Sequence, residues 1–158
     1  MSDLVPLPMT YDVASQIAQW RYPAPFDRYN VRSGTETYMS DPANGFLAIF
    51  QASDPNDGLV AFASRGRDGQ VPGYGYDDSA VDFGFAMNPA FRGQRLSGLA
   101  IETALRAYRE RNVIGTFRAT VWSGNARMLH VLDNLRFTPV ASFTKTGSVD
   151  EYLVLTSA

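Results

Sequence analysis

Just before a stretch with helical apolar spacing, the chain carries Arg92-Gly93-Gln94-Arg95-Leu96-Ser97-Gly98. Such a segment can hold an anion. The first N–H groups of a helix have no acceptor inside it and carry a partial positive charge. Glycine lets an anion approach the backbone closely, and Arg92 and Arg95 add full charges. Together these make a cradle best suited to a pyrophosphate. Read alone, the same residues fit a polar loop that only caps a helix, because two glycines and a basic pair are common in loops. Upstream, the alternation of a strand puts Asp82, Gly84 and Ala86 on one face and Val81, Phe83, Phe85 and Met87 on the other. A carboxylate in such a strand is costly unless backbone N–H groups or an arginine hold it.

Other chemistry is limited by what the chain contains. It has no cysteine, which excludes disulfides, thiolate metal sites and a thiol nucleophile. Its single histidine, His130, rules out a multi-histidine metal site and reads as a packed or surface residue. A formal net charge of -2 argues against a surface that coats nucleic acid. No window approaches a membrane span of roughly 18 apolar residues. Asp3, Pro6 and Pro8 interrupt any export signal, so a cytoplasmic protein is expected. The 158 residues suit one domain, residues 1–158.

The elements that must position the cradle follow from periodicity and turn chemistry. Leu4–Pro8 is an edge strand because of its prolines, and Thr10 caps a helix over Tyr11–Trp20 that Pro23 and Pro25 end. Phe26–Met39 reads as a helical turn and a short helix. Gly45–Ala52 and Leu59–Ser64 form a hairpin around Asp54-Pro55-Asn56-Asp57-Gly58. After a Gly-rich loop over Arg65–Ser79 come a strand, Ala80–Met87, closed by Asn88-Pro89, and a helix, Leu96–Arg111. The helix carries Leu96, Leu99, Ala100, Ala104, Leu105 and Tyr108 as its stripe. Thr116–Trp122 is a strand and Ala126–Leu135 a helix with Met128, Leu129, Leu132 and Leu135 inward. Strands Arg136–Lys145 and Val149–Leu155 join through Gly147. This order predicts an α/β (α+β) fold: a mixed, mostly antiparallel, twisted sheet with helices on both faces.

Residues 81–108 resemble the cofactor-binding motif of the GNAT superfamily of N-acetyltransferases, in which Arg-Gly-x-Gly-x-Gly follows a strand ending in x-Pro. Pro89, Arg92 and Gly93 match; the second and third glycines fall on Arg95 and Ser97. A second likeness runs from Asn125 through Met128, Leu129 and Leu132 to Arg136-Phe137. Asn125 and Phe137 match, Arg136 replaces a glycine, and Leu132 stands where a tyrosine often protonates the CoA thiolate. Residues 10–30, with Trp20, Tyr22, Pro25, Phe26 and Tyr29, resemble the N-terminal Trp-x-Tyr-x-x-Pro-Phe-x-x-Tyr segment of a bacterial subgroup.

The resemblance implies acetyl-CoA as co-substrate, with no metal, in a V-shaped splay between two parallel central strands, Ala80–Met87 and Thr116–Trp122. Pantetheine would pair with the backbone of Phe85, Ala86 and Met87. The pyrophosphate would sit on Arg92, Gly93, Gln94, Arg95, Leu96, Ser97 and Gly98, and Asn125 would reach the pantetheine arm. Some GNAT enzymes place a glutamate near Asp82, which makes it the candidate base, with Glu36, Asp77 and Asp78 as competitors. Trp20, Tyr22, Phe26, Tyr29 and Tyr38 either pack a helical layer or wall an acceptor pocket suited to a cation or amphipathic amine. The expected acceptor is a small-molecule amine or a peptide N-terminus, with no nucleic acid or membrane partner and room for a homodimer. The rival readings are a non-catalytic acyl-CoA-binding or regulatory module, and a scaffold that acts through protein contacts.

Overall fold

A proline-bearing strand belongs where its missing donors are not needed. Strand β1 (Leu4–Pro8) is terminal in the sheet and pairs antiparallel with β2 (Leu47–Gln51), from Leu4↔Gln51 to Pro8↔Leu47. The computed structural model describes residues 3–52, 58–91 and 93–157. The remaining strands are β3 (Leu59–Arg65), β4 (Ala80–Met87), β5 (Thr116–Trp122), β6 (Thr138–Thr144) and β7 (Glu151–Thr156). The seven-stranded sheet has the order β1-β2-β3-β4-β5-β7-β6. Of the five pairings described strand by strand, only that between β4 and β5 is parallel, which gives the mixed, mostly antiparallel α+β architecture expected. The chain forms two compact units, Met1–Ser64 with Phe85–Ala107, and Arg65–Gly84 with Tyr108–Ala158.

In the first unit, Thr10 caps α1 (Tyr11–Ile17) by accepting the Val13 N–H at 3.2 Å. The helix stops at Ile17, short of the predicted Trp20. Its end tightens to Gln19 N–H→Gln16 and Trp20 N–H→Ile17 bonds, and the Arg21 guanidinium takes the Ala18 and Trp20 carbonyls. Ala14 and Ile17 pack with Met9, Met39, Phe46, Ala48, Phe50 and Leu59 into one apolar cluster. A 3₁₀ turn at Phe26–Tyr29 and a short helix α2 (Glu36–Ser40) are the helical turn and short helix expected there. β2 and β3 are the predicted hairpin; residues 53–57 of its turn lie outside the described residues.

Helix α3 (Ser97–Glu110) buries Ala100, Ile101, Thr103, Ala104, Ala107 and Tyr108. This stripe is rotated from the predicted one: Leu99 is 38% exposed. Short side chains at three buried positions allow a close helix approach, which a stripe of leucines would prevent. The helix ends in a Schellman motif. Asn112 takes the left-handed conformation (φ 66°) and donates to Arg109, while the Val113 N–H donates to Tyr108.

In the second unit, β5 pairs with β7 from Arg118↔Thr156 to Trp122↔Tyr152, and β6 forms the outer strand beyond β7. Its register shifts at Pro139/Ala141, leaving Val140 between them, as bulges often do at edges. Phe83, Tyr108 and Phe117 meet edge to face, with Phe83 6.4 Å from Tyr108 and 6.2 Å from Phe117. The loop over residues 66–79 is bound to the β6–β7 hairpin: Tyr74 packs on Phe143, the Thr146 N–H donates to Pro72, and a Cβ on Gly73 would lie 2.6 Å from the Thr144 carbonyl oxygen.

Helix α4 (Ala126–Asn134) is capped at both ends. Asn125 accepts the Met128 N–H at 3.2 Å, an N-cap. At the other end Arg136 is left-handed (φ 67°) and donates to Asp133, and the Phe137 N–H donates to Leu132. This is again a Schellman motif, with Leu132 and Phe137 both buried.

Candidate functional site

The residues after β4 are laid out by a polar stop. The Asn88 backbone N–H donates to Val60 at 2.7 Å, its side-chain amide donates to Leu59 at 2.8 Å, and its side-chain oxygen accepts the Ala90 N–H at 3.0 Å. A 3₁₀ turn, Pro89–Phe91, carries the chain out of the strand toward α3. Arg92 lies outside the described residues. Gly93 has φ 84° and Arg95 φ 57°. An arginine thus holds the left-handed backbone that glycine adopts without cost, and its side chain is exposed.

The opening of α3 fits an anion. The Ala100 N–H bonds Leu96, so the N–H groups of Ser97, Gly98 and Leu99 come before the first turn closes. The first turn has no acidic side chain. A Cβ placed on Gly93 or Gly98 would meet no atom within 4 Å, so neither glycine is there to relieve packing. Gln94 is exposed, and Leu96 and Ser97 are half-buried.

Strand β4 has an unusual burial profile for an inner strand. Asp82 and Phe83 are buried, but Gly84 to Met87 are only half-buried. The parallel ladder to β5 runs Ala80↔Thr116, Val81↔Phe117 and Asp82↔Arg118, so Phe85–Met87 lie past its last rung. On the other edge, the Gly66 N–H donates to Asp82 and the Asn88 N–H to Val60, two bonds in one antiparallel register. Backbone direction alternates along a strand, so Gly84 and Ala86 also address β3. The N–H and C=O groups of Phe85 and Met87 point away from it.

Tyr22 reaches that second edge, its hydroxyl donating to the Met87 carbonyl. The aromatic set named from sequence divides in two. Tyr22 and Phe26 both contact Tyr29, at 6.4 Å edge-on and 6.3 Å stacked. Trp20 packs on Phe62 beside the apolar cluster described above, and Tyr38, 46% exposed, meets Phe46 edge-on.

Asp82 is tied to a residue that sequence reading missed. Arg118 Nε donates to one carboxylate oxygen at 2.6 Å and Nη2 to the other at 3.0 Å, and Gln70 adds a bond at 2.8 Å. Both partners of the ion pair are 4% exposed. Asp77 accepts Arg118 Nη1 at 3.1 Å, and the Tyr76 ring lies 5.1 Å from the guanidinium carbon. The hydrogen bonds to Asp82 hold the guanidinium above its ordinary value. Bonds from the Ser79 hydroxyl and N–H, then from Arg118, hold the exposed Asp77 carboxyl below its own. An arginine inside the apolar run Phe-Arg-Ala-Thr-Val was itself a signal, since a charge there requires a partner. Of the other carboxylates weighed, Asp78 is exposed and Glu36 is half-buried at the first position of α2.

Leu132, at the position that often carries a phenol, is 1% exposed, and His130 is exposed beside Asn134. Among the described residues, no helix is long and apolar enough to cross a membrane.

No protein-family model and no curated protein matches the sequence. Solved structures do. A GNAT-family acetyltransferase from Bacillus anthracis superposes with a TM-score of 0.74 at 10% identity, covering 99% of this chain and 97% of that one. A chimera of the Vibrio cholerae spermidine N-acetyltransferase SpeG with hSSAT gives 0.72 at 12% identity, covering 99% and 95%. The ribosomal-protein-S18-alanine N-acetyltransferase from Escherichia coli gives 0.65 at 16% identity, covering 99% and 93%. With its parallel β4–β5 pair inside a mostly antiparallel seven-stranded sheet, the chain has the GNAT acetyltransferase fold over nearly its whole length.

Proposed function

We propose that the chain, as one acetyltransferase domain, moves an acetyl group from acetyl-CoA to the amine of a small molecule or a peptide N-terminus. The observation that carries this reading is the half-buried end of β4, past its last rung with β5, followed after the turn at Pro89–Phe91 by a helix whose first turn has no acidic side chain. The pyrophosphate is assigned to Gly93, Gln94, Arg95, Leu96, Ser97 and Gly98, with Arg92 beside them. The pantetheine arm is assigned to the edge of β4 that faces away from β3, where Phe85 and Met87 offer backbone groups; Ala86 borders it through its side chain.

Acetyl-CoA supplies an activated thioester, so no protein nucleophile is needed, and an amine attacks it in a ternary complex. The Phe85 N–H, directed away from β3, is the donor assigned to the developing oxyanion. Asp82 is assigned a structural role, since both of its oxygens are engaged by Arg118 and Gln70. The amine's proton then leaves through water. Two of the similar structures are of enzymes named for spermidine and for a ribosomal-protein alanine, which supports an amine as acceptor.

The experiment is calorimetric titration with acetyl-CoA, joined to CoA release across a panel of amines. The wild-type chain should bind and turn over at least one amine. Gly93→Asp, which sets a carboxylate against the pyrophosphate, should abolish binding while the fold persists; unchanged affinity rejects the cradle. Leu132 at the phenol position favours a second reading, an acyl-CoA-binding module, which binding without release for any amine would support.

A further inference from the structure

The bond from Tyr22 to Met87 spans 65 residues and ends on a group that matters to the cofactor assignment. The Met87 carbonyl points away from β3, onto the edge of β4 assigned to pantetheine. A donor to a carbonyl lies near the carbonyl plane. An extended chain paired with a strand edge runs about 4.8 Å from it. The Tyr22 hydroxyl therefore takes one of the two acceptor directions of a carbonyl on the edge assigned to the arm.

Tyr22 is held there by its own segment. Its backbone N–H donates to the Asn30 side-chain oxygen at 2.9 Å, closing the segment from 22 to 30. Tyr29 meets its ring edge-on at 6.4 Å and is in turn stacked on Phe26, with ring planes 18° apart. The phenol is half-buried and braced on the first unit's own aromatic cluster, so it is a fixed donor.

We propose that Tyr22 is an affinity-setting residue that competes with the pantetheine arm for the Met87 carbonyl. Binding acetyl-CoA then requires the Tyr22 hydroxyl to leave that carbonyl, and the segment bearing Phe26 and Tyr29 responds to the cofactor. This inference rests on the cofactor reading above and adds to it a residue that opposes binding.

The test compares acetyl-CoA dissociation constants by calorimetry for wild type, Tyr22→Phe and the control Tyr11→Phe, whose ring is exposed at the start of α1. Removing one hydrogen bond that must be broken should tighten binding about three- to tenfold in Tyr22→Phe. Tyr11→Phe should bind as wild type does. Equal or weaker binding by Tyr22→Phe overturns the proposal, as does equal tightening in both variants. If no protein in the series binds acetyl-CoA, the cofactor reading itself falls, an outcome distinct from binding that ignores Tyr22.

Discussion

Arg118 occupies the middle of β5 at 4% exposure, where a guanidinium survives only because two carboxylates and an aromatic face meet it. Asp82 is the partner that matters most, because it is equally buried and bonds through both oxygens; Asp77 lies at the surface. Removing one member of a buried pair leaves the other charged and unpaired. Arg118→Ala should therefore cost about 3–5 kcal/mol of stability, read from urea unfolding midpoints. A loss below about 1 kcal/mol would show that the pair is solvated in solution, as surface pairs are.

At the level of elements, the helix ends carry positions where the expected glycine is replaced by a side chain. Arg136 is the cleanest case. It holds a left-handed backbone at the C′ position of a Schellman motif, and its side chain is exposed. The two motif bonds, to Asp133 and Leu132, need the backbone angle and not the arginine. Arg136→Gly should raise stability by about 1 kcal/mol, measured as a higher thermal midpoint, because the left-handed conformation costs an L-residue about that much. A fall in the midpoint would mean that the arginine side chain contributes more than the strain it introduces. Arg95 is left-handed in the same way, but within the assigned pyrophosphate cradle, so its charge and its backbone angle cannot be separated by a glycine alone.

For the whole molecule, the proposed cofactor links the fold to its ligand. A ligand that binds only the folded chain adds stability by mass action. Acetyl-CoA at one hundred times its dissociation constant should stabilise the protein by about 2.7 kcal/mol, with a rise in midpoint that grows with concentration. CoA, which keeps the pyrophosphate and pantetheine, should act in the same direction. The absence of any shift up to millimolar concentrations would place the chain with the scaffold reading.

The residues alone already disclosed the bounds of β1, β4 and β5, the cap at Thr10, the hairpin of β2 and β3, and the strand–loop–helix segment around Pro89. Each is encoded by chemistry between near neighbours: alternation, a side-chain oxygen facing an N–H three residues on, or a proline that ends a ladder. The buried face of α3 was legible only in part: Ala100, Ala104 and Tyr108 of the expected stripe are buried, but Leu99 is exposed and Ile101, outside that stripe, is buried, because apolar spacing allowed either rotation. The partners of the polar groups were not legible. Asp82 meets Arg118 across 36 residues, and Tyr22 meets Met87 across 65. Those pairings depend on which strands lie side by side and which edge of β4 faces away from β3, and that is settled only when distant segments pack together.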